Sequence, residues 1–509
     1  DGTILAVTGT VYAIQGCNAD LGGMLTEALD LSEAIDGPYR IANWSIDGHC
    51  CRTDTPANTF CRGPVWLPAH LLIEGVIESV AAHCNLDAHD VRLRNLYRPG
   101  DVALGRQLLP HCTLPSLVAE VCHRTGYDTL RANVEHFNAR SRYVKQGLAI
   151  SPFRYGMGSG AGYAAMVSIR DDGSVVVSQS GCEIGQGLYV KQAQVAALTL
   201  GVDVALVSVE PVTSKLSTGP TGGSTTSEGN AASVRLACEQ VLQKLSPVRT
   251  GLEGRLRRTA TWAELVAEAV RSGADKTGYA QYSGHEKETT KGGQVVLPGA
   301  SGYGREQYCA FGVALTHIRC APACLLVSAP LHRPSSPHAL PMPLLPPRIS
   351  PRRYDALSAE LTLLRTELVT DQGYSLNPLI DAGQVQGAFT MGLGYVLSEQ
   401  MQWAPGTGLN LSNGTWEYKP PSSLDIPVTF NVAFLPGSPN AAGIFSSKAV
   451  GEPAILAAAS VLSALSHAIR EIRKDEGIKG HFDLSAPAVP EEVQRLCALD
   501  WKAFASSAS

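Results

Sequence analysis

A chain of 509 residues, 44% apolar and 17% charged, has room for several cores and the texture of an ordinary globular protein. Its net charge of −5 gives no general electrostatic reason to bind nucleic acid or a membrane surface. Thirteen cysteines run from Cys17 to Cys497 without a regular framework, which points to reduced thiols, and none matches the four-cysteine runs that hold iron–sulfur clusters.

In chain order, residues from Gly2 to Tyr12 alternate like a strand, already under way at Asp1, so the chain reads as a piece of something longer. A helical stretch is expected over Leu25–Ile35. Arg62-Gly63-Pro64 then leads into an amphipathic helix carrying Leu71, Ile73, Val76, Ile77 and Val80, and a further helix is expected over Leu114–Thr125. Gly147–Val167 is a glycine-rich strand region containing Tyr155. Its Gly156-x-Gly158-x-x-Ala161 is not a dinucleotide fingerprint, because the strand formers of Ala164–Arg170 follow where a helix would be needed. Asp171-Asp172-Gly173 signals a hairpin turn into Ser174–Ser180.

Four glycine-rich turns, each with a helical run behind it, dominate the remainder. They are Gly181-Cys182-Glu183-Ile184-Gly185-Gln186-Gly187, the stretch Thr218–Thr226, the stretch Ser375–Gly387 ahead of Phe389–Leu397, and Gly451-Glu452-Pro453 ahead of Ala454–Ile472. Each alone is an ordinary cap or tight turn. Together they offer backbone N–H groups, the Gln186 and Gln384 amides, and the hydroxyls of Thr221, Ser224, Thr225 and Thr226, a set suited to a large polar, anionic cofactor. At the helix start Glu452 is expected to be ionised, since unpaired N–H groups and the macrodipole favour a carboxylate there, and an ionised carboxylate suits a general base.

The segment Thr316–Tyr354 fits none of this. It holds nine of the 31 prolines in 39 residues and has neither helical nor strand periodicity. It is expected to be an insert, most simply a translated intron, splitting one strand that would otherwise run from Phe311–Leu315 into Ser358–Leu368.

Taken in order, these motifs resemble the molybdenum cofactor region of the xanthine dehydrogenase and aldehyde oxidase family. The resemblance rests on Thr59-Phe60-Cys61-Arg62-Gly63, Asp90–Tyr97, Gly181–Gln192, Gly219–Asn230, Ser375–Phe389 and Ser447–Pro453, over nearly the whole chain. It implies a mixed α/β (α+β) fold, a molybdenum cofactor-binding domain truncated at its N-terminus. Residues 1–148 would end a first molybdopterin-binding subdomain, and residues 149–509, with the insert 316–354, would form a second. The 2Fe-2S and FAD groups of the family, and an earlier glycine-rich cofactor turn, would lie outside this chain.

The resemblance also assigns roles. Glu452 would be the general base for a hydroxylation that draws its oxygen from water, and Arg62 would anchor the charge that develops on the substrate. Molybdopterin would be held by Ile184, Gly185, Gln186, Gly187, Thr221, Gly223, Ser224 and Gln384, with the molybdenum carried by the pterin and by no side chain. Tyr155 and Pro64 would line the substrate site, Tyr155 as one side of a sandwich around a planar ring. The substrate would be a small aldehyde or N-heterocycle, purines such as hypoxanthine and xanthine included, and the enzyme a cytoplasmic homodimer, with the peroxisome as the alternative location. No nucleic acid or membrane partner is implied. Two departures stand out: Leu25–Pro38 contains no arginine where xanthine-specific members have one, and Pro64-Val65-Trp66 is bulkier than the family step. The first tilts the reading from xanthine towards aldehydes. The competing readings are a degenerate, non-enzymatic remnant and a separate molybdenum-binding subunit of a multi-chain dehydrogenase.

Overall fold

The computed structural model describes residues 1–18, 31, 34–142, 144–158, 162–211, 216, 220–282, 306–321 and 360–498. Most of the expected helix Leu25–Ile35, and the proline-rich stretch beyond Ala321, lie outside the described residues.

Among the described residues, alternation sets the central layer. Strands β3 (Lys145–Gly158), β8 (Glu306–Ala321), β9 (Glu360–Asp371) and β10 (Thr429–Phe434) form one sheet in the order β10-β9-β8-β3. The β3–β8 and β8–β9 pairs are antiparallel and β9–β10 is parallel. Successive residues of a strand face opposite ways, so Phe311, Val313 and Leu315 enter one core while Ala310, Ala314 and Ile318 enter the other. On the first face lie α1 (Trp66–Cys84), α2 (Ala88–Asn95), α3 (Leu114–Thr125) and α4 (Tyr127–Arg140). The second face is covered by α8 (Pro378–Leu397), the 3₁₀ turn Pro453–Ala458 and α9 (Ala459–Asp475). The expected boundary at 148/149 falls inside β3.

Close approach of β3 to α9 requires Gly147: a Cβ there would meet the Ala464 carbonyl oxygen at 1.8 Å. The continuous stretch Pro453–Asp475 is apolar enough to cross a membrane by composition, but most of it is buried in this core, where the same composition is needed.

A second layer pair is built from β4 (Tyr163–Ile169), β5 (Val175–Gln179), β6 (Val207–Glu210) and β7 (Thr277–Tyr282), in the order β6-β5-β4-β7. Against it pack α5 (Leu188–Leu200), α6 (Thr226–Leu256) and α7 (Trp262–Ser272) around Val167, Val177, Val195, Val234 and Val241. Strands β1 (Ala6–Gly16) and β2 (Asn43–Arg52) form a separate parallel pair.

Several local expectations need correction. The first strand spans Ala6–Gly16, later than the alternation from Gly2 suggested. The reading of Gly156-x-Gly158 agrees with the structure: Gly158 ends one strand, and the next described element is the strand β4. Residues Thr316–Ala321 are not part of a structureless insert. They contain no proline, continue β8, and pair with β3 and with β9 as far as Ala321↔Glu360. The proline-rich stretch therefore joins two antiparallel neighbours at the end of a sheet and does not split one strand.

Candidate active site

Glu452 occupies the step between an extended segment and the 3₁₀ turn Pro453–Ala458, and its side chain does not cap that turn. The carboxylate points across the molecule instead. Its Oε2 accepts a 2.5 Å hydrogen bond from the Tyr155 hydroxyl of β3, and the backbone N–H groups of Gly63 and Gly223 also donate to it. Burial holds the Glu452 carboxyl above the usual carboxylate range, opposed by the Tyr155 hydrogen bond, the Arg62 charge and the two N–H groups. The helix-start argument for an ionised Glu452 is thus corrected: desolvation outweighs the helix terminus, and the charged form depends on these four donors and charges.

Arg62 precedes α1 and ties three segments together. Its Nε donates to the Gly451 carbonyl at 2.6 Å, and one terminal nitrogen donates to both the carbonyl and the Oε1 of Gln384 at 3.1 Å. The other terminal nitrogen lies 3.6 Å from the Met391 sulfur. Most of the guanidinium is engaged in positioning Gly451 and Gln384. Burial lowers its pKa and the neighbouring Glu452 raises it.

Pro64 is half-buried and begins a tight turn in which its carbonyl accepts from the Trp66 N–H at 2.8 Å. The central residue, Val65, has φ 69° and ψ −50°, the strained γ-turn region that a β-branched residue rarely adopts. That turn aims Trp66 at Tyr155: the rings stack with centroids 4.8 Å apart and planes at 29°. Tyr155 is 3% exposed, so its ring lies packed in the core beside Glu452 and does not offer an open face.

The turn 181–187 is organised by a residue the sequence did not single out. Glu183 accepts from the N–H groups of Gly185 and Gly187 through Oε1 and from Tyr189 through Oε2, at 2.9–3.0 Å. The protein's own carboxylate therefore occupies the anion-binding start of α5. Gln186 likewise bonds within its loop, accepting from the Ile184 N–H and donating to the Cys182 carbonyl. Ile184 stands at the rim, 73% exposed. Gly187, at φ 77°, packs where a Cβ would meet Ile380 at 2.6 Å. Thr221 accepts from the Cys182 N–H at 3.0 Å and joins the turn to its neighbour.

Gln384 sits inside α8 and not on a turn before it. Asn377 caps the helix by accepting from the Ile380 N–H, and Pro378 occupies the first turn, so the helix begins ahead of Gly383 and Gly387. From α8 the Gln384 amide reaches Arg62 and, at 3.4 Å, the Gly185 carbonyl.

Arg62, Gly63, Tyr155, Gly185, Thr221, Gly223, Ser224, Gln384 and Glu452 are thereby linked through direct contacts between neighbouring turns. The residues fit a large polar ligand in two respects. Among the described residues Ser224 Oγ is buried without a hydrogen-bond partner, close against Gly451. Gly185, Gly222, Gly223 and Gly383 have open space where a Cβ would stand, so a ligand can approach the backbone there.

A buried polar layer supports the Ser447–Pro453 segment. The Ala449 N–H donates to the Tyr308 hydroxyl at 2.8 Å, which in turn donates to Glu228 of α6 at 2.7 Å. Desolvation pushes the Glu228 carboxyl up to about 7, opposed by Tyr308, Lys191 and Lys448. A carboxyl whose folded-state pKa lies above its ordinary 4.5 stabilises the fold fully below that value, and the contribution is lost as pH rises through about 7. Glu228→Gln, which keeps an acceptor for Tyr308, is therefore expected to raise stability by roughly 1–2 kcal/mol at pH 8 and by little at pH 4.5. Guanidinium unfolding of both proteins at the two pH values checks this.

Comparison with known proteins agrees with this arrangement. Two family models, each described as a molybdopterin cofactor-binding domain, match residues 1–96 and residues 120–323 with 352–427. The second match leaves out 324–351, inside the proline-rich stretch. The chain is 31% identical over 507 residues to the xanthine dehydrogenase of Drosophila pseudoobscura pseudoobscura, covering 98% of this chain and 34% of that protein. It is 29% identical over 508 residues to aldehyde oxidase 1 of Bos taurus, with 98% and 34% coverage. The chain thus spans about a third of the length of these relatives. Its fold matches quinoline 2-oxidoreductase from Pseudomonas putida with a TM-score of 0.78 at 20% identity, over 98% of this chain and 60% of that one. It also matches the aldehyde oxidoreductase of Desulfovibrio desulfuricans with a TM-score of 0.73 at 20% identity, over 97% and 47%. The chain belongs to the molybdopterin-binding part of the xanthine dehydrogenase and aldehyde oxidase family of molybdenum hydroxylases.

Proposed function

We propose that this chain forms the reaction chamber of an enzyme that hydroxylates a small aldehyde or N-heterocycle with water as the oxygen donor. The observation that carries the reading is the setting of Glu452: a largely desolvated carboxylate, held by Tyr155, Gly63 and Gly223 beside Arg62, where the glycine-rich turns meet. Molybdopterin, when bound, supplies an electron-accepting molybdenum that activates water-derived oxygen. Ser224, Gly185, Gly222, Gly223 and Gln384 would hold it, since they offer the unpartnered hydroxyl, the open backbone and the amide.

Glu452 takes up the proton released as the water oxygen becomes a nucleophile. A raised pKa suits that task, because it makes the carboxylate a better proton acceptor than an ordinary glutamate. Arg62 offsets negative charge at this point and fixes Gly451, hence the approach of Glu452. The absence of an arginine between Leu25 and Pro38 supports aldehydes over xanthine.

Oxidation in ¹⁸O-water with an artificial electron acceptor tests the reading. Aldehydes should give carboxylate labelled from water, with a higher kcat/KM than xanthine. Product labelled from dioxygen would contradict the proposed chemistry, and a preference for xanthine would contradict the substrate class.

A further inference from the structure

On the reading of Glu452 as the base, we infer that Tyr155 is a positioning residue: its phenol fixes the Glu452 carboxylate and sets the pH range in which that carboxylate can accept a proton.

The geometry makes the pair specific. Tyr155 lies on the face of β3 shared with Phe153 and Met157, opposite Ala310 of β8, a side chain small enough to leave the ring its place. Trp66 stacks on it, and the strained turn at Val65 holds Trp66 there. The ring cannot swing away without leaving that stack. Its hydroxyl donates to Glu452 Oε2. An ionised carboxylate only accepts, so the phenol donates.

The other groups facing Glu452 act differently. Arg62 contributes charge while its hydrogen bonds go to Gly451 and Gln384, and Gly63 and Gly223 contribute backbone N–H groups that no side-chain substitution removes. Ser224 Oγ lies against Gly451. Cys61 lies beside Arg62, with Glu399 beyond it, and the Tyr418 hydroxyl holds Glu399. Tyr155 is thus the side-chain donor seen on the carboxylate among the described residues. A donor to the charged form favours that form, and its loss leaves a buried carboxylate less compensated.

Tyr155→Phe keeps the stacked ring and removes only the hydroxyl. Infrared titration of the full chain reads the result without turnover, with Glu452→Gln assigning the protonated-carboxyl band. The band should persist about one pH unit or more higher in Tyr155→Phe than in the parent. In the cofactor-loaded enzyme, the acid limb of kcat/KM should move up by the same amount with KM little changed. Trp66→Leu, which frees the ring but keeps the phenol, should move the band the same way by less, and it serves as the second variant if Tyr155→Phe does not fold. An unmoved band in the folded variants overturns the inference. Unchanged turnover in Glu452→Gln overturns the underlying assignment of the base, a separate result from the infrared one.

Discussion

Glu452→Gln should lower turnover of the cofactor-loaded enzyme by about 10²–10⁴-fold, the span that a positioned general base contributes. Glutamine is isosteric and its single amide oxygen keeps part of the hydrogen bonding from Tyr155, Gly63 and Gly223, so fold and cofactor content should survive. The loss should appear in kcat rather than in KM, because the carboxylate acts on the proton released during reaction and not on the resting substrate. Stopped-flow reduction by substrate, under single-turnover conditions, isolates this step from later electron transfer. A rate within threefold of the parent would remove Glu452 from the mechanism.

The largest loss of stability is expected at Lys448→Met. The Lys448 ammonium lies 2.6 Å from Asp371 Oδ2, with both side chains almost fully buried. Thr113, Ser438 and the Gly373 N–H also donate to Asp371, and the three supply hydrogen bonds but no charge. Removing the cation leaves a buried carboxylate uncompensated, at a cost of about 3–5 kcal/mol. Because Lys448 also anchors the segment that ends at Glu452, the same substitution should loosen the site. Adding Asp371→Asn removes the stranded charge and should recover much of the stability, measured as the guanidinium midpoint. If the single variant is as stable as the parent, the pair contributes nothing to holding that segment.

What the sequence made legible follows from how local each signal is. Strand formers and a hairpin turn signal exposed the strand character of Ala164–Arg170 and Ser174–Ser180, and apolar helical spacing located α3 and α5, because neighbours in sequence decide those features. The glycine-rich turns were visible for the same reason. The contact of Tyr155 with Glu452 had no local signal, because the two are 297 residues apart and meet only where β3 packs against the turn Pro453–Ala458. The strain at Val65 had no signal at all, since nothing in a β-branched residue announces a positive φ.

Glu183 could have been found. A carboxylate two to six residues ahead of N–H groups at a helix start is a capping pattern, and the glycines around it drew attention to a ligand instead. The Asn377-Pro378 start of α8 was equally readable and places Gln384 inside the helix. The ionisation of Glu452 was not readable. The helix-start argument is local, whereas burial and the donors that oppose it, Tyr155, Gly63 and Gly223, come together from different elements.

The central claim is that the turns around Ser224 and Gly185, with Gln384 of α8, hold molybdopterin beside Glu452. Molybdenum and released pterin, both quantified in protein purified from a host that makes the cofactor, test it most directly. The account predicts molybdenum and pterin in equal amounts in the parent and in Glu452→Gln, and a marked loss of both in Gly185→Val, whose side chain would fill the open approach to the backbone. Folded parent protein that carries neither molybdenum nor pterin, from a host whose other molybdenum enzymes are fully loaded, would contradict it.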